Sequence, residues 1–149
     1  MKIRLANLES DALSIMDGAK DFYKRTGVES LFPTDDQEFM KAISRIMVLE
    51  DLTILLAEQE KQVVGGIGIL YAPFLWNPSI TVGDELFWWT DRNAPFRTGI
   101  YLFDEAMKQI KEKGAIPIFR SMETSPKGVE RLYHRRGLRR IETTHIGIP

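Results

Sequence analysis

The stretch from residue 80 to residue 119 constrains the fold most. An apolar run, Ile80 to Thr90, passes through the loop Asp91–Gly99 into a segment where Ile100, Phe103, Met107 and Ile110 recur at three- and four-residue steps. A shorter apolar run, Ala115 to Phe119, follows. The pattern changes from strand to helix and back, which reads as a strand–helix–strand crossover. Lys111 and Lys113 suit the helix C-terminus, and Gly114 suits the residue that ends it. In open α/β sheets ligands sit beyond the carboxyl ends of such strands, which here means the loop before residue 100.

The rest of the chain fits around that unit. Ile3 to Ala6 is a short strand, and Asn7 or Ser10 caps a helix with Ala12, Ile15, Ala19 and Phe22 on one face. Thr34 and Gln37 form a capping box after Pro33, with Phe39, Ile43 and Ile46 continuing a second helix. Leu52 to Ala57 and Val63 to Tyr71 are strands joined by the polar turn Glu58–Lys61, a hairpin. Ser125 followed by Pro126 reads as a cap and first helical residue, with Val129, Leu132 and Tyr133 on the buried face. Gly137 stops that helix, and Ile141 to Ile148 reads as a closing strand. The predicted order is β-α-α-β-β-β-α-β-α-β, with residues 1–149 forming one domain.

Composition narrows the function. The chain has 149 residues, 44% of them hydrophobic and 28% charged, as in an ordinary globular domain. Its net charge of −1 creates no global field to recruit nucleic acid or an anionic membrane. Without cysteine there is no disulfide, thiolate metal site or cysteine nucleophile. His134 and His145 have no ligand-like companions, so no metal is expected. The opening MKIRLANLES lacks an apolar leader and no run reaches membrane-span length, so a cytoplasmic address is expected.

The loop before residue 100 has anion-binding chemistry. Amides of Thr98, Gly99 and Ile100 would lie at a helix N-terminus, with Arg92 and Arg97 adding charge. Gly99 would let a phosphate approach the backbone without a Cβ in the way. Glu85, on the strand that feeds this loop, is the best carboxylate for a general base. Simple alternation puts Glu85, Phe87 and Trp89 on one face of that strand and Asp84, Leu86 and Trp88 on the other. Core packing explains one aromatic face; a cleft wall could explain the other.

The segment DELFWWTDRNAPFRTGIYLFDEAMKQIKEKGA resembles the acetyl-CoA-binding segment of the GNAT N-acetyltransferase superfamily, and GVERLYHRRGLRRIETTHI is similar to that family's C-terminal segment. The element order extends the resemblance over nearly the whole chain. It implies an α/β fold with a mixed, mainly antiparallel sheet flanked by about four helices, splayed around acetyl-CoA. It implies direct acetyl transfer to an amine, on a small molecule or a protein, with a homodimer left open. Tyr133 falls where the family places the general acid that protonates the CoA thiolate. Trp89 and Thr90 fall where backbone groups bond the pantetheine arm, and Phe96, Arg97, Thr98, Gly99, Ile100 and Ser125 complete the implied cofactor-binding set. The short N-terminal half and the FWW strand resemble phage-encoded members.

The loop departs from the family's signature, Gln/Arg-x-x-Gly-x-Gly/Ala. With Gly99 in the last position, Arg97 stands where the earlier glycine belongs and Ala94 where the Gln/Arg belongs. A loop retained with altered chemistry and a degenerate one both fit. The alternative to an enzyme is therefore a non-catalytic module of this fold that binds a protein. GGIGI at 65–69 lies within a strand run and reads as a bulge or close packing rather than a dinucleotide fingerprint. HRRGLRR at 134–140 reads as a solvated helix end, or as a contact for RNA or an acidic partner.

Overall fold

A computed structural model describes residues 1–33 and 35–145 of the chain. Strand β1 (Lys2–Leu5) leads into helix α1 (Leu8–Thr26). Asn7 caps α1, its side-chain oxygen accepting from the amides of Glu9 at 3.0 Å and Ser10 at 3.4 Å. Gly27, at φ 75°, ends the helix in the left-handed conformation that costs glycine nothing. Helix α2 (Asp36–Met47) is capped by Asp35, whose carboxylate accepts from the Glu38 amide at 2.8 Å. This replaces the expected Thr34 capping box; Thr34 itself lies outside the described residues.

Strands β2 (Leu52–Gln59), β3 (Gln62–Phe74) and β4 (Asn77–Thr90) form an antiparallel meander. The β2–β3 turn is tighter than the sequence suggests. Glu60 and Lys61 both take positive φ, 51° and 67°, the twist a two-residue hairpin favours. Helix α3 (Thr98–Glu112) then crosses to β5 (Ile116–Ile118), which runs parallel to β4. Among the described residues five strands lie in chain order, β1-β2-β3-β4-β5, with only the β4–β5 pair parallel.

Two corrections fall near the C-terminus. Helix α4 spans Val129–Arg135 and follows Gly128, so Ser125 does not cap it. The Ser125 hydroxyl instead accepts from the Met122 amide at 2.9 Å in the preceding turn. Ile141–His145 forms no strand, and Ile146–Pro149 lies outside the described residues.

The sheet is buried on both faces. On one, α1 and α2 lay Ile15, Met16, Ala19, Ile43 and Met47 against Ile54, Leu56, Phe87 and Trp89. On the other, Leu102, Ala106 and Ile110 of α3 pack on Leu55, Ala57, Ile67, Ile69 and Tyr71. Burial on both sides explains why β2 reads as a continuous apolar run. Trp89 is seated between two glycines: a Cβ on Gly18 would lie 2.0 Å from its ring and one on Gly66 2.2 Å. The glycines at 65–69 thus serve close packing and, as follows, a bulge.

Candidate active site at the parting of β4 and β5

Along β4 the register with β3 slips once. Gly68 faces Phe87, but Ile69 faces Glu85, which leaves Leu86 as an extra residue. The bulge overturns the simple alternation. Phe87 and Trp89 enter the core under α1, with Leu86 packed against that same core, whereas Glu85 shares the α3 face with its partner Ile69. Trp88 also belongs to the α3 side. One inserted residue thus moves the carboxylate from one layer to the other.

Strands β4 and β5 pair only from Val82 to Asp84, opposite Ile116 to Ile118. Beyond that point β4 runs on to Thr90 without a β5 partner, leaving a gap in the ladder. Arg120 sits at its neck, two residues past the last pair. Its amide donates to Glu85 Oε2 at 3.2 Å, and its carbonyl accepts from the Tyr133 hydroxyl at 2.7 Å. Its guanidinium donates to the Glu85 carbonyl at 2.9 Å and grips both oxygens of Asp84, one at 2.9 Å and the other closer. The rings of Trp88, Phe103, Phe119 and Tyr133 cluster beside it, with Phe103–Phe119 centroids 4.6 Å apart and Phe103–Tyr133 5.5 Å.

Glu85 is 6% exposed. Burial pushes its carboxyl up to about 7, partly opposed by the Arg120 amide and charge, and Asp84 adds a small upward push. A carboxyl poised near neutrality is suited to taking a proton at physiological pH. Burial, with the nearby Glu85 charge, raises the Tyr133 phenol above its ordinary range, so it stays protonated. That is the ionisation state an acid needs, although its one proton is engaged with Arg120.

At the other end of the gap, Arg97 precedes α3 with φ 73° and ψ 5°. It holds the left-handed conformation at the position where the family's signature has glycine, so the backbone turn persists without the residue that favours it. Thr98 is 2% exposed and largely spent: its amide and hydroxyl both donate to the Pro95 carbonyl, at 3.1 and 2.7 Å. The free first-turn amides among the described residues are those of Gly99 and Ile100. Gly99 lies over Trp88, where a Cβ would meet the indole at 3.4 Å. No acidic residue occupies the first turn of α3. Phe96 is 90% exposed, and the Thr90 carbonyl accepts from Arg25 at 3.1 Å.

The structure therefore gathers Trp89, Thr90 and residues 96–100 at one end of the gap, and Glu85 and Tyr133 at the other. Trp89 brings only its backbone, since its ring is in the core. No contact among the described residues links Ser125 to this group. Its loop instead joins the end of α1, through the Thr124 hydroxyl and the Thr26 carbonyl at 3.2 Å. Nothing local in the sequence marks Arg120 or Asp84 as site residues. Arg136, within the basic cluster, is paired with Asp104 of α3 at 2.8 Å and ties α4 to α3. Among the described residues, no helix is long and apolar enough to cross a membrane, and no cluster could hold a metal ion.

The described residues form a GNAT-like fold: a mixed, mostly antiparallel open sheet with four α-helices. A predicted acetyltransferase of Clostridium acetobutylicum, crystallised with acetyl-CoA, has a TM-score of 0.74 at 16% identity, over 98% of this chain and 95% of its own. Ribosomal-protein-alanine N-acetyltransferase of Brucella melitensis biovar Abortus has a TM-score of 0.72 at 12% identity, over 98% of each chain. A transcriptional regulator of Bacillus halodurans has 0.71 at 20%, over 99% of this chain and 97% of its own. At these identities the likeness establishes the fold alone. No protein-family model and no curated protein matches the sequence.

Proposed function

We propose that the chain is an N-acetyltransferase that uses acetyl-CoA and transfers the acetyl group directly to an amine. One observation carries the reading: a buried carboxyl near neutrality, Glu85, joined through Arg120 to the Tyr133 phenol where β4 and β5 part. The chemistry of the loop fits the group. Gly99 and Ile100 offer amides to a diphosphate, Arg97 adds a cation, and no carboxylate in the first turn repels it. Acetyl-CoA, when bound, supplies an acyl group activated as a thioester.

The chain's own residues then have distinct tasks. Glu85 takes a proton from the incoming ammonium and exposes the nitrogen lone pair. The Tyr133 hydroxyl would give its proton to the sulfur that leaves as the nitrogen takes the acyl group, and the phenolate would recover a proton from that nitrogen as it becomes an amide. To give its proton the hydroxyl must leave the Arg120 carbonyl. Backbone groups at the end of β4, around Trp89 and Thr90, hold the arm and polarise the acyl oxygen.

The neck's four-ring cluster is the observation that favours the second reading, a non-catalytic module that binds a protein. Calorimetry with acetyl-CoA and with free CoA separates the two. The enzyme reading expects saturable heat from both and release of thiol when an amine panel is added. Absence of heat at roughly millimolar ligand, corresponding to binding weaker than about −4 kcal/mol, refutes the cofactor assignment.

A further inference from the structure

We propose that Arg120 is the positioning residue of this acid–base pair, holding the Glu85 carboxyl group and the Tyr133 hydroxyl in one hydrogen-bonded line at the neck between β4 and β5. The inference rests on the acid and base roles given above. Both backbone groups of one residue do the joining: its N–H meets Glu85 and its C=O meets Tyr133. If residue 120 moves, both contacts change together. Yet no ladder holds it, because β5 ends at Ile118 and the next helix begins at Val129.

The guanidinium supplies the missing hold. It makes three contacts with β4: two on the Asp84 carboxylate and one on the Glu85 carbonyl. Such a pattern needs a planar fork of donors, which lysine lacks. The Arg120 side chain is half-exposed, and ion pairs so exposed contribute little to stability. What the fork provides is placement of the backbone behind it. The charged and titratable groups around Glu85 are Asp84 on its own strand, Arg120 beyond β5 and Tyr133 from α4; none comes from α3 among the described residues. Arg120 also feels Glu142 from the C-terminal segment.

The test uses the full chain with Arg120→Lys, which keeps the charge but loses the fork, and Arg120→Gln, which loses both. Glutamate carboxyls are labelled with carbon-13, Glu85 is assigned by comparison with Glu85→Gln, and its titration is followed by NMR. Loss of the amide contact raises the Glu85 titration in both variants, by about half a pH unit or more, a threefold change in proton affinity. A midpoint unchanged in Arg120→Lys but raised in Arg120→Gln would show that charge alone matters, and overturns the proposal. Unchanged midpoints in both, with a lower melting temperature, reduce Arg120 to a structural residue. If Arg120→Gln does not fold, the lysine variant decides alone. CoA calorimetry on the wild type is scored separately, so a failed cofactor reading is distinguishable from a failed positioning role.

Discussion

Glu85→Gln isolates the energetic consequence of burying an ionisable group at the neck. In the folded chain the carboxyl is pushed from an ordinary 4.5 up to about 7, first by burial. Between those values the folded state keeps a proton that the unfolded state has released. By linkage, the stability this provides is full below about pH 4.5 and is lost as pH rises through about 7. A shift of this size corresponds to roughly 3 kcal/mol at about 1.4 kcal/mol per unit. Glutamine has nearly the same shape, can accept from the Arg120 amide and cannot ionise. The variant and wild type should therefore be about equally stable in acid, while the variant gains up to ~3 kcal/mol at about pH 8. For a chain of this size that is a melting increase of roughly 6–12 °C. Urea unfolding of both proteins across the pH range, without ligand, measures it. The difference between the two cancels the opposite trend from Asp11, whose carboxyl is held low first by its hydrogen bond to Arg4. A stability difference that does not grow with pH, or that favours wild type in mild alkali, refutes the burial argument.

Two further outcomes follow from the same geometry. Arg97→Gly relieves a left-handed residue at φ 73°, so stability should hold or rise by up to about 1 kcal/mol after allowing for glycine's freedom in the unfolded chain. CoA affinity should nonetheless fall, most at low salt, as calorimetry at two ionic strengths will show; equal affinities would assign Arg97 to solvent. Tyr133→Phe strips the Arg120 carbonyl of its donor and should cost about 1 kcal/mol of stability, leaving CoA affinity alone. With an amine acceptor its turnover should fall ~10² to 10⁴-fold, and an unchanged rate would make Tyr133 a core residue.

The local signals of the sequence carried well into the fold. Asn7 caps α1, and Gly114 and Gly137 take positive φ after their helices. The steps at 100–110 mark the helix but only half of its core face: Phe103 and Ile110 are buried, whereas Leu102 and Ala106 take the places expected for Ile100 and Met107. What was illegible depends on residues far apart. The bulge at Leu86 arises from pairing with Gly68 and Ile69, so alternation along β4 alone put Glu85 on the wrong face. Arg120 acquires its role from Asp84 and Glu85, which lie 36 and 35 positions earlier. Thr98 looked like a free donor, but Pro95 consumes its amide. Ser125–Pro126 has the composition of a helix start, yet that turn closes on Met122 and α4 begins three residues later.

The distribution of local costs favours the enzyme over the binding module. Elsewhere the chain is built for stability: Arg4 bridges Asp11 and Glu58 across β1, α1 and β2, and Trp89 fills the space two glycines leave. At the neck and its loop the choices run the other way. Glu85 is a titratable group held in an apolar layer, and Arg97 occupies a backbone conformation unfavourable to any residue with a Cβ. Each disfavours folding by an amount that glutamine or glycine would relieve, and a surface that only docks a protein gains nothing from either. Both become useful together if a proton must leave an ammonium at one end of the gap and a diphosphate must be held at the other. The ring cluster is compatible with this, since Phe103 and Tyr133 are buried but Trp88 and Phe119 remain partly open. The half-buried Trp88 ring beside Gly99 makes an apolar wall for a pantetheine arm as readily as a seal.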